Sequence, residues 1–127
     1  MLGTVVLLLA GFELKHFIAD YLMQPGWMIA QKGNLGAPGG YVHACIHAAG
    51  SVLVLLLAAV PPGVLAGLVV AEFFIHYALD FAKARYGHGI DPDEDASSFW
   101  GLHGLDQLFH QLTYVVMLYV ALLSLGA

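Results

Sequence analysis

Four stretches of this chain, at about 2–24, 42–60, 64–83 and 104–126, are nearly continuous runs of apolar residues. An α-helix needs roughly 20 such residues to cross the hydrocarbon core of a bilayer, so each run is long enough to be a membrane span. Composition agrees. Only 10% of the residues are charged, against about a quarter in soluble domains, and the mean hydropathy is +0.80. At 127 residues the chain suits one domain. The expectation is a single all-α transmembrane domain over residues 1–127. The first run has no basic region ahead of it and no clear small-x-small cleavage site, so it reads as a span rather than a signal peptide.

The connections set the topology. Pro25-Gly26 ends the first run, and Pro61-Pro62-Gly63 joins the second to the third by a tight turn. Segments 25–41 and 84–103 are longer and polar. Short connections favour antiparallel neighbours, which gives an up-down four-helix bundle. Both termini and the PPG turn then share one side, and the two long loops share the other. Lys32, Lys83 and Arg85 lie in or beside the long loops, with Lys15 in the nearer half of helix one, so the positive-inside rule places those loops in the cytoplasm and both termini outside. Trp27 and Trp100 fall where interfacial aromatics belong.

Charge and cysteine content exclude other classes. Four of the nine acids sit together at Asp91, Asp93, Glu94 and Asp95, so the net charge of −5 is mostly one loop. Four Lys and Arg make no basic stripe for nucleic acid. The single Cys45 precludes an internal disulfide.

Each span carries polar residues at spacing i, i+4: His16 and Asp20, His43 and His47, His76 and Asp80, Asp106 and His110. Residues four apart share one helical face. In helices one and three the pair lies near the C-terminal end, and in helices two and four near the N-terminal end. In an up-down bundle those ends are on the same side. At 1.5 Å per residue all four pairs fall roughly 3–15 Å below the long-loop surface. Charged groups at the bilayer centre cost about 2.5–3.5 kcal/mol on insertion scales, so three Asp and five His at such depth must face inward and find partners. A divalent cation pairs the carboxylates and orders the imidazoles together. Mixed imidazole and carboxylate suits zinc, iron or manganese over copper(I). Eight ligands exceed one tetrahedral zinc, which points to one or two ions, the remaining residues acting as outer Asp–His partners. Glu13, three before His16, and Glu72, four before His76, are candidate general bases or orienting groups. Cys45 lies about 200° round the helix from His43 and is no co-ligand.

HFIADY at 16–21 and HYALDF at 76–81 nearly repeat, as HACIH and DQLFH would if a helical hairpin had been duplicated about an axis along the membrane normal. KHFIADYLMQ, Lys32, HACIH, HYALDFAK and DQLFH, taken in this order, resemble the bacterial membrane family known as domain of unknown function 3307. The resemblance implies a small polytopic protein of a bacterial inner membrane and supplies no activity. The His and Asp arrangement is also similar in style to small membrane-bound metal-dependent hydrolases.

Simpler readings stand beside these. The four pairs could form a hydrogen-bonded network that joins helices, worth about 0.6 kcal/mol per contact. His88 and His103 read as solvated loop residues. DPDEDASS at 91–98 lacks the glycine and distal glutamate of a calcium loop, and Ser97 or Ser98 there reads as a helix cap. Gly50, Gly63 and Gly67 suit close helix packing. The leading functional expectation is an intramembrane metal-dependent hydrolase acting on a membrane lipid or membrane-embedded peptide, in a chain able to form a homodimer. The alternatives are a metal-ion or proton transporter or sensor, haem held by His pairs, and the structural network alone.

Overall fold

The computed structural model describes residues 1–126, and among these there is no strand. The elements are α1 (Leu2–Phe17), α2 (Gly26–Gln31), α3 (Gly39–Leu57), α4 (Pro62–Tyr86) and α5 (Ala96–Ser124). α1 runs on through one π-helical turn at Ile18–Leu22, so four helices are long and apolar enough to cross a membrane.

The tight turn between α3 and α4 lies slightly ahead of the PPG sequence. Ala59 takes a positive φ of 57°. The Val60 N–H then reaches the Leu55 carbonyl (3.0 Å) and the Ala59 N–H reaches that of Leu56 (2.9 Å). This is the Schellman arrangement, built on alanine where glycine is usual. Pro62 then opens α4, where its missing N–H costs nothing.

The second long loop is shorter than the expected 84–103. α4 continues to Tyr86 and α5 begins at Ala96, so Trp100 and His103 are helical. The cap is not Ser97 or Ser98 but Asp95, whose carboxylate accepts the Ser98 N–H (3.0 Å). That bond holds the exposed Asp95 carboxyl below the ordinary carboxylate range.

The spans form a ring, with α1 against α3 and α5, and α4 against the same two. α1 therefore faces α4 across a diagonal, which is the arrangement a duplicated hairpin would give. The terminus side is sealed by Leu8, Phe12, Val54, Leu55, Ala58, Val60, Leu68, Met117 and Ala121. The outer faces remain apolar and exposed, including Leu56, Leu57, Phe74, Val116 and Tyr119. So much exposed apolar surface is consistent with a membrane helical bundle.

Close packing at glycine occurs where one helix meets another. A Cβ at Gly11 would lie 2.8 Å from Val54 Cγ1, and one at Gly50 would lie 3.1 Å from Lys15 Cβ. Gly63 and Gly67 have nothing within 4 Å, so of the three glycines expected to serve packing only Gly50 does.

Candidate metal centre

Four helix ends deliver the polar pairs to one level. His16 is near the end of α1, His43 and His47 near the start of α3, His76 and Asp80 near the end of α4, and Asp106 and His110 in the first half of α5. All but Asp20 are buried. Asp20 lies in the π turn, whose extra residue per turn re-aims a side chain. Its Oδ1 is 2.9 Å from His47 Nε2 and 3.1 Å from His43 Nε2, and its Oδ2 is 3.2 Å from His16 Nε2.

Two ligand sets result. In one, Asp20, His43, His47 and His76 each offer a donor atom, all within 4.8 Å of one another; in the other, His76, Asp80 and His110 do the same. His76 belongs to both. His43 Nε2 also lies 3.5 Å from Asp80 Oδ2, so it stands between the two carboxylates. The rings crowd accordingly, with His47 and His76 stacked at 3.8 Å and His76 and His110 edge-to-face at 4.4 Å.

The hydrogen-bonding pattern fits a cation. His43 Nδ1, His76 Nδ1 and His110 Nε2 are buried without a hydrogen-bond partner, while His43 Nε2 and His76 Nε2 face carboxylate oxygens at 3.1 and 3.2 Å. Orphaned buried polar atoms cost about 1–3 kcal/mol each. His110 Nδ1 lies 2.7 Å from the backbone carbonyl of Asp106. A carbonyl only accepts, so Nδ1 carries the proton and Nε2 is left as a bare lone pair. It lies 3.8 Å from Asp80 Oδ1. A backbone carbonyl commonly fixes a ligating histidine in this way.

His16 and Asp106, both expected as ligands, fall outside the two sets. His16 bridges Asp20 to Tyr114 OH (2.9 Å from Nδ1) and Gln107 Oε1 (3.1 Å from Nε2). Asp106 is held by Lys83 at 2.7 Å. The two glutamates also have protein partners. Glu13 Oε2 accepts from Gln111 Nε2 (2.9 Å), and Glu72 is paired with Lys15.

From the sequence the lysines bear on topology and, Lys32 among them, on the family resemblance, yet all three enter the centre. Lys15 pairs with Glu72 across the diagonal, lies 3.4 Å from His47 Nδ1, and sits over the Tyr114 ring at 4.4 Å. Lys32 Nζ is 2.7 Å from Asp80 Oδ2, and Lys83 holds Asp106. The signal in the sequence was Lys15 itself, a lysine next to His16 in a span, which has to find an anion. Tyr114, four residues after His110, carried the same kind of signal. Asp20 differs from Asp80, Asp106 and Glu72, because its side-chain partners are imidazoles alone.

Above Asp80 a cleft of about 860 Å³ opens toward the loops, bordered by Lys32, Lys83, Arg85, His88 and His103 among others. Cys45 is exposed, consistent with its exclusion.

The family model described as "Protein of unknown function (DUF3307)" matches residues 5–126 of the chain. No curated protein and no solved structure matches it.

Proposed function

The chain belongs to the DUF3307 family, whose function is unknown, and from the geometry of its centre we propose that it holds one or two divalent metal ions within the membrane and uses them for hydrolysis. The observation that carries this reading is the convergence of two His/Asp ligand sets, each with its donor atoms within 4.8 Å of one another, in one buried layer.

The two sets have different uses. Asp20, His43, His47 and His76 make a complete tetrahedral complement, the form of a closed structural zinc site; a neutral imidazole has one lone pair to give, so with two ions bound His76 serves only one of the sets. His76, Asp80 and His110 supply three ligands, the number that leaves a position for water and substrate. Asp80 also borders the cleft, so the three-ligand set is the reactive one. Zinc, iron and manganese all suit these donors. A bound cation would supply Lewis acidity toward a water and a scissile bond. Of the two glutamates, Glu72 is the one that shares a face of α4 with His76, a member of the three-ligand set. In this reading the substrate is a membrane lipid or membrane-embedded peptide entering from the loop side, and the Lys and Arg of that side support a cytoplasmic assignment for it.

A through-path for ions is disfavoured by the apolar seal of Leu8, Phe12, Leu55 and Met117 beneath the centre. The structural-network reading has one observation in its favour. Lys15, Lys32 and Lys83 already neutralise Glu72, Asp80 and Asp106 without a metal. Elemental analysis of purified protein separates the two: one or two equivalents of zinc, iron or manganese, reduced by Asp20→Asn, is the expected result. Protein that takes up no metal on reconstitution would leave only the network.

A further inference from the structure

Three of the four Lys and Arg residues in this acidic chain, Lys32, Lys83 and Arg85, border a single cleft, and among the described residues the only carboxylate bordering it is Asp80. The acids of the adjacent loop, Asp91, Asp93, Glu94 and Asp95, are exposed, and none of them lines it. Arg85 makes no ion pair among the described residues; its guanidinium rests over the Phe81 ring at 5.9 Å. Lys32 is held at 2.7 Å by Asp80, and Lys83 at 2.7 Å by Asp106 and at 3.0 Å by His103 Nδ1, yet an ammonium has three donors, so each keeps at least one N–H to offer. A planar fork beside two point donors is the combination that recognises phosphate oxygens.

A second cavity lies along the same α4–α5 seam, farther from the loops. It is an apolar groove of about 300 Å³ bordered by Leu68, Ala71, Ile75, Leu79, Phe109 and Leu112 among others, and it reaches the buried Glu72. Leu79 in the groove and Lys83 in the cleft are one turn apart on α4, and so share a face. Phe99, next to the interfacial Trp100, borders the cleft, which sets it at headgroup height. A phosphate pocket at that height beside an apolar slot is shaped for an amphiphile.

We propose that the cleft and the α4–α5 groove together bind an anionic membrane lipid whose headgroup ends in a phosphomonoester, the phosphate on Arg85, Lys83 and Lys32 and one hydrocarbon chain between α4 and α5. This deepens the hydrolase reading by naming its substrate class, and it rests on that reading only for the chemistry after binding. The phosphate would lie against Asp80, a member of the three-ligand set.

The test uses the full chain in phosphatidylcholine nanodiscs, titrated with phosphatidic acid carrying a fluorescent acyl chain, and separately with inorganic phosphate. Metal content is measured on the same samples. Arg85→Gln removes an exposed cation without touching the buried layer, and is expected to weaken lipid binding about tenfold or more, the loss of one charge-assisted hydrogen bond. Ala71→Phe fills the groove from an exposed position. It is expected to weaken the lipid and leave inorganic phosphate unchanged. Phosphatidic acid bound no better than the phosphatidylcholine background, or bound equally by Arg85→Gln, overturns the proposal. Phosphate competing as well as the lipid, with Ala71→Phe silent, overturns the lipid assignment in favour of a free anion. Lipid binding by protein that takes up no metal upholds this site while removing the metal-dependent reading, so the two fail separately.

Discussion

Replacing Lys15 by methionine is the sharpest test of how this centre is held together. Lys15 and Glu72 are side chains of 7% and 1% exposure joined across the bundle diagonal. Glu72 Oε2 has no hydrogen-bond partner, and Oε1 has Lys15 alone. Lys15→Met keeps nearly the same volume, so the cavity term is small. What remains is a buried carboxylate with nothing to pair it, which costs about 3–5 kcal/mol. The cation–π contact with Tyr114 is lost as well, about 0.5–2 kcal/mol on exposed-to-desolvated estimates. The fold is therefore expected to lose about 3–5 kcal/mol or somewhat more, measured by reversible unfolding of the protein in mixed micelles titrated with a denaturing detergent. The double variant Lys15→Met/Glu72→Leu removes both charges and is expected to return to within about 1 kcal/mol of the native chain, because a buried pair replaced by apolar side chains is often neutral. A single variant that loses less than about 1 kcal/mol, or a double variant as unstable as the single, would refute the idea that Lys15 is the counter-charge of Glu72.

The same geometry carries three further expected outcomes. His76→Ala, which takes a ligand from both sets, is expected to remove more bound metal than His110→Ala, which should spare the four-ligand set; elemental analysis returning equal losses would contradict the division into two sets. Gly11→Ala forces a Cβ to 2.8 Å from Val54 Cγ1 and should cost about 1–3 kcal/mol, while Gly67→Ala, open to its surroundings, should be neutral in the same unfolding assay; equal effects would discount the α1–α3 contact. The Asp95 cap has a carboxyl whose folded value is depressed. Its contribution is therefore full above the unfolded value of about 4 and is lost as pH falls through the folded one. Amide exchange at Ser98, corrected for intrinsic rates, should gain protection from about pH 3 to about pH 6 and lose it in Asp95→Ala; protection independent of pH would show that the cap is not ionic.

Several features of this architecture were open to reading from residues alone, for definable reasons. The spans follow from hydropathy, because lipid admits few alternatives to a long apolar helix. The common height of His16, His43, His76 and Asp106 follows from the fixed rise of the helix combined with alternating direction. The misplaced start of the last helix had a local cause. α5 begins at Ala96 rather than near 104, because Asp95 caps a turn whose own composition, ASSFWGLHG, is not apolar enough to register as a span. A π turn at Ile18–Leu22 leaves no hydropathy signature either, yet it sets where Asp20 points.

The order of residues along the chain determined four spans, their alternation, and a stripe of imidazoles and carboxylates on each at one depth, since periodicity fixes both height and face. Which stripes meet was decided only when the helices closed into a ring with α1 opposite α4. That closure gathered Asp20 with His43, His47 and His76, set His16 and Asp106 beside the two ligand sets, and drew Lys15 and Lys32 inward to Glu72 and Asp80. Rotation of one helix about its axis relative to its neighbours, and the reach of a flexible lysine, are properties of packing between segments distant in the chain, and no spacing within a single helix encodes them.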